Sequence, residues 1–192
     1  MNFLASKPLN KVKFSVFQGE LVQGCNSSSI PDSIEVIADS AFSQRRNLSH
    51  ISIPDSIVYI GEFAFLGCYS LESEIKLQGI HQVTRSCFDG CSSLKKVSIG
   101  SGIESVESGA FASCSMLSDV EITEGTKYIG TYAFDNCNRL ASITLPKSIE
   151  CIESSAFDRC NRIERVFISK GSTGYFMRFD ALKQYRHRFM EL

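Results

Sequence analysis

The chain has 192 residues, 43% of them hydrophobic, with 20 Lys and Arg against 21 Asp and Glu. That is enough apolar material for a sizeable core, while a net charge near zero supplies no global field for nucleic acid or an anionic membrane. No apolar run approaches the roughly 18 residues that span a bilayer, and Phe3-Leu4-Ala5 is interrupted by Lys7, Pro8 and Lys11 too early for a secretory signal, so the sequence reads as soluble with no export address.

Residues 1–29 are irregular. Val12, Phe14, Val16 and Phe17 offer one alternating stretch that reads as a strand, and Gly19, Gly24 and Asn26-Ser27-Ser28-Ser29 read as turns. This segment is expected to be a degenerate first repeat or a cap, because the open end of a stacked array exposes apolar surface and an unpaired strand edge.

Residues 30–168 are six tandem units. Phe42, Phe65, Phe88, Phe111, Phe134 and Phe157 are spaced 23 residues apart, a period that signals a solenoid whose units bury apolar faces by stacking on one another. Each unit has two apolar arms. The first is Leu48-x-x-Ile51-x-Ile53, matched by Leu94-x-x-Val97-x-Ile99, Leu117-x-x-Val120-x-Ile122, Leu140-x-x-Ile143-x-Leu145 and Ile163-x-x-Val166-x-Ile168. Its last three positions alternate as in a strand with one buried face. A turn follows, marked by Pro31, Pro54 and Pro146 or by Gly100 and Gly102, and then the second arm, Ile57-x-x-Ile60 leading to Ala64-Phe65 and Cys68.

The pattern Leu48-x-x-Ile51-x-Ile53-Pro54-x-Ser56-Ile57-x-x-Ile60-Gly61-x-x-Ala64-Phe65-x-x-Cys68 resembles the 23-residue leucine-rich repeat of the BspA-like family. The resemblance implies an α/β-type repeat solenoid, a right-handed superhelix with a parallel β-sheet on its concave side. It also implies binding of macromolecules, often by surface proteins of bacteria or protist parasites that contact host matrix.

One unit departs from the pattern. After Leu71 the apolar pair falls at Ile75 and Leu77, one residue late, and the next turn, Gln78-Gly79, is one residue short. Without that compensation Glu74 and Lys76 would face the core, since a one-residue slip exchanges the faces of a strand. A bulge or altered corner is expected near Ser73. After Ile168, residues 169–174 read as a loop. Phe176, Phe179, Leu182, Tyr185 or Arg186, and Phe189 recur at spacings of three and four, which predicts an amphipathic helix over residues 176–191. Asp180 early and Lys183, Arg186 and Arg188 late suit its dipole. Residues 169–192 are thus expected as a C-terminal helical cap, the rival reading being a basic amphipathic segment for a membrane surface or a partner.

No constellation supports catalysis, a cofactor or a metal. Cys68, Cys91, Cys114, Cys137 and Cys160 hold one repeat position, and a ladder of parallel side chains converges neither on zinc nor on disulfide geometry. The thiols read as small fillers of a tight corner. Cys87 substitutes for the alanine of Ala-Phe, and Gly100-Ser101-Gly102 lacks the third glycine and the helix of a dinucleotide-binding turn. His50, His81 and His187 accompany no nucleophile at a recognisable spacing. The sequons Asn26-Ser27-Ser28 and Asn47-Leu48-Ser49 matter only in a secreted chain. The remaining candidate site is the outward side of the first arms: His50 and Ser52, Glu74 and Lys76, Lys96 and Ser98, Asp119 and Glu121, Ser142 and Thr144, Arg165 and Phe167. This stripe reads either as a recognition surface for a protein or glycoprotein or as ordinary solvated strand positions. The corresponding functions are a non-catalytic interaction scaffold and a structural or degenerate fragment of a larger surface or signalling protein.

Overall fold

The computed structural model describes residues 15–17, 20–23 and 29–192. The strand expected over residues 12–17 is present in its described part, and its beginning, like Asn26, lies outside the described residues. Strand β1 (Ser15–Phe17) pairs antiparallel with β2 (Glu20–Gln23), and β2 pairs in parallel with β3 (Val36–Ile37), which pairs with β4 (Tyr59–Ile60). The chain continues through β5 (Ile75–Leu77), β6 (Gln82–Val83), β7 (Lys96–Ile99), β8 (Ser105–Val106), β9 (Asp119–Ile122), β10 (Tyr128–Ile129), β11 (Ser142–Thr144), β12 (Cys151–Ile152) and β13 (Arg165–Ile168). It ends with α1 (Thr173–Phe176), α2 (Asp180–Lys183) and β14 (Phe189–Glu191).

Two interrupted rows of parallel strands build this β-solenoid. The first arms form β5-β7-β9 and β11-β13-β14, and the second arms, in which strands are only two residues long, form β6-β8-β10-β12. The second row is short because only one inward residue per arm, such as Ile60 or Ile129, is flanked by an extended neighbour before the chain turns.

Between the second arm and the next first arm the chain turns every three residues. Cys68 N–H donates to the Phe65 carbonyl at 3.2 Å and Leu71 N–H to the Cys68 carbonyl at 3.0 Å, and the same pair of bonds recurs along the chain. A period of three aligns successive side chains on one side, so Phe, Cys and Leu all point into the core. Backbone positions two residues before and after each phenylalanine, Ser155 excepted, take left-handed φ, including the bulky Phe63 (57°) and Tyr132 (58°). Such a conformation is costly for a side-chain-bearing residue and is held here by hydrogen bonds to both neighbouring turns.

The six phenylalanine rings form one column, with centroids 4.9–5.5 Å apart and planes within 11° of parallel. All are essentially inaccessible. Beside the column, the Cys68, Cys91, Cys114, Cys137 and Cys160 thiols each donate to the carbonyl of the phenylalanine 26 residues earlier, at 3.0–3.3 Å. The thiols therefore satisfy buried carbonyls as well as filling space. Burial pushes the Cys87 and Cys114 thiols well above their ordinary range.

The displaced unit produces a seam. Ile75 pairs with Val97, an offset of 22 residues, whereas Val97 pairs with Val120, an offset of 23. Ile75 and Leu77 are buried, and Glu74 and Lys76 are exposed. Neither strand row is continuous across this point: β5 has no strand partner on its N-terminal side, and β4 and β6 belong to different sheets. Side chains take over. Ser73 Oγ accepts the Ile51 N–H at 2.9 Å, and the buried Thr84 hydroxyl lies 2.9 and 2.8 Å from the Ile60 and Gly61 carbonyls. The turns stay joined across the seam, with Phe65 N–H donating to the Cys87 carbonyl at 2.8 Å.

The C-terminal segment differs from the single helix expected over residues 176–191. It is two one-turn helices followed by β14, which pairs with β13 at an offset of 23. Phe176, Phe179, Leu182 and Tyr185 are buried as their spacing requires, but that spacing is three throughout. N–H groups of residues 179, 182, 185 and 188 donate to the carbonyls three residues earlier at 2.7–3.1 Å, which is the turn period of the repeats and not the 3.6 of an α-helix. Tyr185 completes the thiol file: its hydroxyl lies 3.3 Å from both the Phe157 and the Cys160 carbonyls.

Candidate functional site

In the first arms the inward positions Val97, Val120, Ile143 and Val166 are closed off from water, and alternation turns the intervening side chains outward. All twelve candidate residues lie exposed or half-buried on this outer side. They do not form one uniform stripe. His50 and Ser52 lie beyond the seam; Ser52 pairs with Ser29 through an isolated bridge, and His50 Nδ1 is 3.0 Å from Ser49 Oγ.

On β5, β7 and β9 the charges are mutually engaged. Lys96 Nζ lies 3.4 Å from a carboxylate oxygen of each of Glu74 and Asp119, and Lys76 is 4.0 Å from Glu74. The carboxylates of Asp119 and Glu74 raise the Lys96 ammonium above its ordinary value. Ser98 Oγ is 3.4 Å from Glu121 Oε2. Next come the neutral, half-buried Ser142 and Thr144 of β11. On β13, Arg165 lies over the Phe167 ring, 5.7 Å from its centroid. Phe167 sits beside Met190 of β14, which is 48% exposed. A helix over residues 176–191 leaves Met190 off this face; its position 23 residues after Phe167 is the signal that it belongs there.

The second-arm row presents a further surface that sequence reasoning passed over. His81, Gln82, Glu104, Ser105, Lys127 and Tyr128 line an open depression of about 400 Å³. Within it Lys127 Nζ pairs with Glu104 at 3.2 Å, and the neighbouring Glu153 carboxylate is 3.5 Å from the Tyr128 hydroxyl. Partial burial and the charges of Glu153 and Glu107 push that phenol upward. Among the described residues no group of three or more His, Cys, Asp or Glu is placed to hold a metal ion, and no helix is long and apolar enough to cross a membrane.

A profile of the BspA-type leucine-rich repeat region, in six copies, matches residues 10–124 and 104–179. The chain belongs to the BspA-type leucine-rich repeat family. A leucine-rich repeat protein from Eubacterium ventriosum is similar in structure over 71% of this chain and 37% of its own, at 34% identity and a TM-score of 0.64. A leucine rich cell surface protein from Faecalibacterium prausnitzii shares the fold over 90% of this chain and 41% of its own, at 23% identity and a TM-score of 0.60. A leucine-rich repeat protein from Bacteroides ovatus does so over 84% and 55%, at 23% identity and a TM-score of 0.55. This BspA-type chain thus spans between about a third and just over a half of these proteins. No curated protein matches it.

Proposed function

We propose that the chain is a non-catalytic interaction module that binds a protein or glycoprotein through the outer side of its first arms. One observation carries this reading. The inward residues of β7, β9, β11 and β13 are interchangeable aliphatics, while the outward pairs change character from rung to rung: Lys96 and Ser98, Asp119 and Glu121, Ser142 and Thr144, Arg165 and Phe167. Side chains that differ on an otherwise repeated, hydrogen-bonded frame are prepositioned for recognition at little entropic cost. Repeats of this family are typical of interaction and surface modules, and a surface location for this chain is part of the same proposal.

The test is a pull-down with the intact chain against a variant carrying Lys96→Ala, Glu121→Ala and Arg165→Ala. A partner identified by mass spectrometry should be retained by the former and lost by the latter, with far-UV circular dichroism melts unchanged. A partner held equally by both proteins refutes the face assignment.

A further inference from the structure

The near-zero net charge conceals a strong segregation. Residues 159–192 carry eight Arg and Lys against three Asp and Glu, whereas residues 29–158 carry nine against seventeen. Six of those eight cations are arginines. Some serve the fold: Arg159 is bound to the buried Asp135, Lys183 pairs with Asp180, Arg178 stacks on Tyr175 and reaches the Glu150 carbonyl, and Arg188 donates to the Ile163 carbonyl. Arg162 and Arg165 are different. Both are exposed, and no described carboxylate lies within ion-pair distance of either; the same holds for Arg139, which precedes Arg162 by one repeat. Glu164, between them in sequence, is exposed and makes no ion pair. On β5, β7 and β9, by contrast, Lys96 is held between Glu74 and Asp119.

Apolar surface adjoins one of these guanidinium groups directly. Arg165 lies over the Phe167 ring, and Phe167 neighbours the exposed Met190 on the next rung. Guanidinium forks match carboxylates bidentately, and a half-buried aromatic beside an exposed methionine offers contact to apolar side chains. We propose that the β13–β14 end of the first-arm face, formed by Arg139, Arg162, Arg165, Phe167 and Met190, binds a polypeptide segment in which acidic residues alternate with apolar ones. This rests on the first-arm reading above and narrows it to one end and one ligand chemistry. A sulfated glycan would satisfy the arginines alone and leave the Phe167–Met190 surface unused, so the peptide is the better fit.

The probe is a fluorescein-labelled twelve-residue peptide alternating Glu with Leu and Phe, titrated by fluorescence anisotropy against the full chain. Its Glu-to-Gln counterpart and a sulfated heparin hexasaccharide serve as comparisons. The acidic peptide should bind more tightly than the neutral one, and its affinity should fall by about tenfold or more in an Arg162→Glu/Arg165→Glu variant, and likewise in 0.5 M salt, as expected for an electrostatic contact. Phe167→Ala should weaken it at constant charge. Equal binding of the two peptides, tighter binding of the hexasaccharide, or indifference to the arginine reversal overturns the proposal. If the pulled-down partner depends on Lys96 and Glu121 but not on Arg162 and Arg165, the first-arm reading stands and this one fails.

Discussion

Replacing Phe88 and Phe111 by alanine, singly and together, tests whether the ring column acts as a chain of nearest-neighbour contacts. Each ring is fully buried, and their centroids are 5.3 Å apart with planes 4° from parallel. Truncation of a buried phenylalanine costs about 3–5 kcal/mol in lost transfer energy and residual cavity. A stacked aromatic pair adds about 0.5–1.5 kcal/mol beyond burial, so the Phe88→Ala/Phe111→Ala double variant should fall short of the sum of the singles by about that amount. Phe88 and Phe134 flank Phe111 and share no stacking contact with each other, so their double variant should be additive to within about 0.3–0.5 kcal/mol. Urea unfolding followed by far-UV circular dichroism gives the four stabilities each cycle needs. Comparable coupling in the two cycles, or single-variant losses below about 1 kcal/mol, would refute the column as a set of local contacts.

Thr84→Val keeps shape and removes the hydroxyl that serves the Ile60 and Gly61 carbonyls; a loss of about 1–3 kcal/mol is expected, together with faster hydrogen exchange confined to the turns beside the seam. Tyr185→Phe should cost about 1 kcal/mol and raise exchange in β14, and unchanged protection there would remove Tyr185 from the role of terminating the thiol file. Burial raises the Cys87 and Cys114 thiols in the folded chain, so the unfolded chain loses these protons first as pH rises. Stability should therefore be flat below the unfolded thiol value near pH 8.5 and decline above it. Urea midpoints at pH 7, 8.5 and 10 check this against a Cys87→Ala/Cys114→Ala variant, which should show a shallower decline.

The period, the inward residues and the compensated shift after Leu71 were all legible in the sequence, because each is a constraint on spacing and spacing survives translation into structure. Ile75 and Leu77 fall inside and Glu74 and Lys76 outside, as the alternation demands. The C-terminal segment misled for a physical reason: Phe176, Phe179 and Leu182 are three apart, a spacing shared by amphipathic helices and by serial tight turns, and only pairing with β13 decides between them. The second strand row escaped notice because two residues, such as Tyr59 and Ile60, are too few to display alternation. The free arginines were hidden by the averaging implicit in a net charge. What Ser73 and Thr84 contribute was also out of reach, since a hydroxyl that replaces a backbone bond carries no periodic signature.

The seam divides strands without dividing the molecule. On either side of it the rows are cross-linked by backbone, while across it the phenylalanine column runs unbroken, with Phe65 and Phe88 only 5.0 Å apart and 1° from parallel. Mechanically this is a beam with both strand rows interrupted and the corner of turns and rings whole. Bending should concentrate at Ser73 and Thr84, so that the portion bearing His50 and Ser52 can tilt towards or away from the portion bearing Glu74 to Phe167 while the column holds the distance between them. A partner spanning both portions would feel an adjustable jaw, and one resting on β5 to β14 alone would feel a fixed plate.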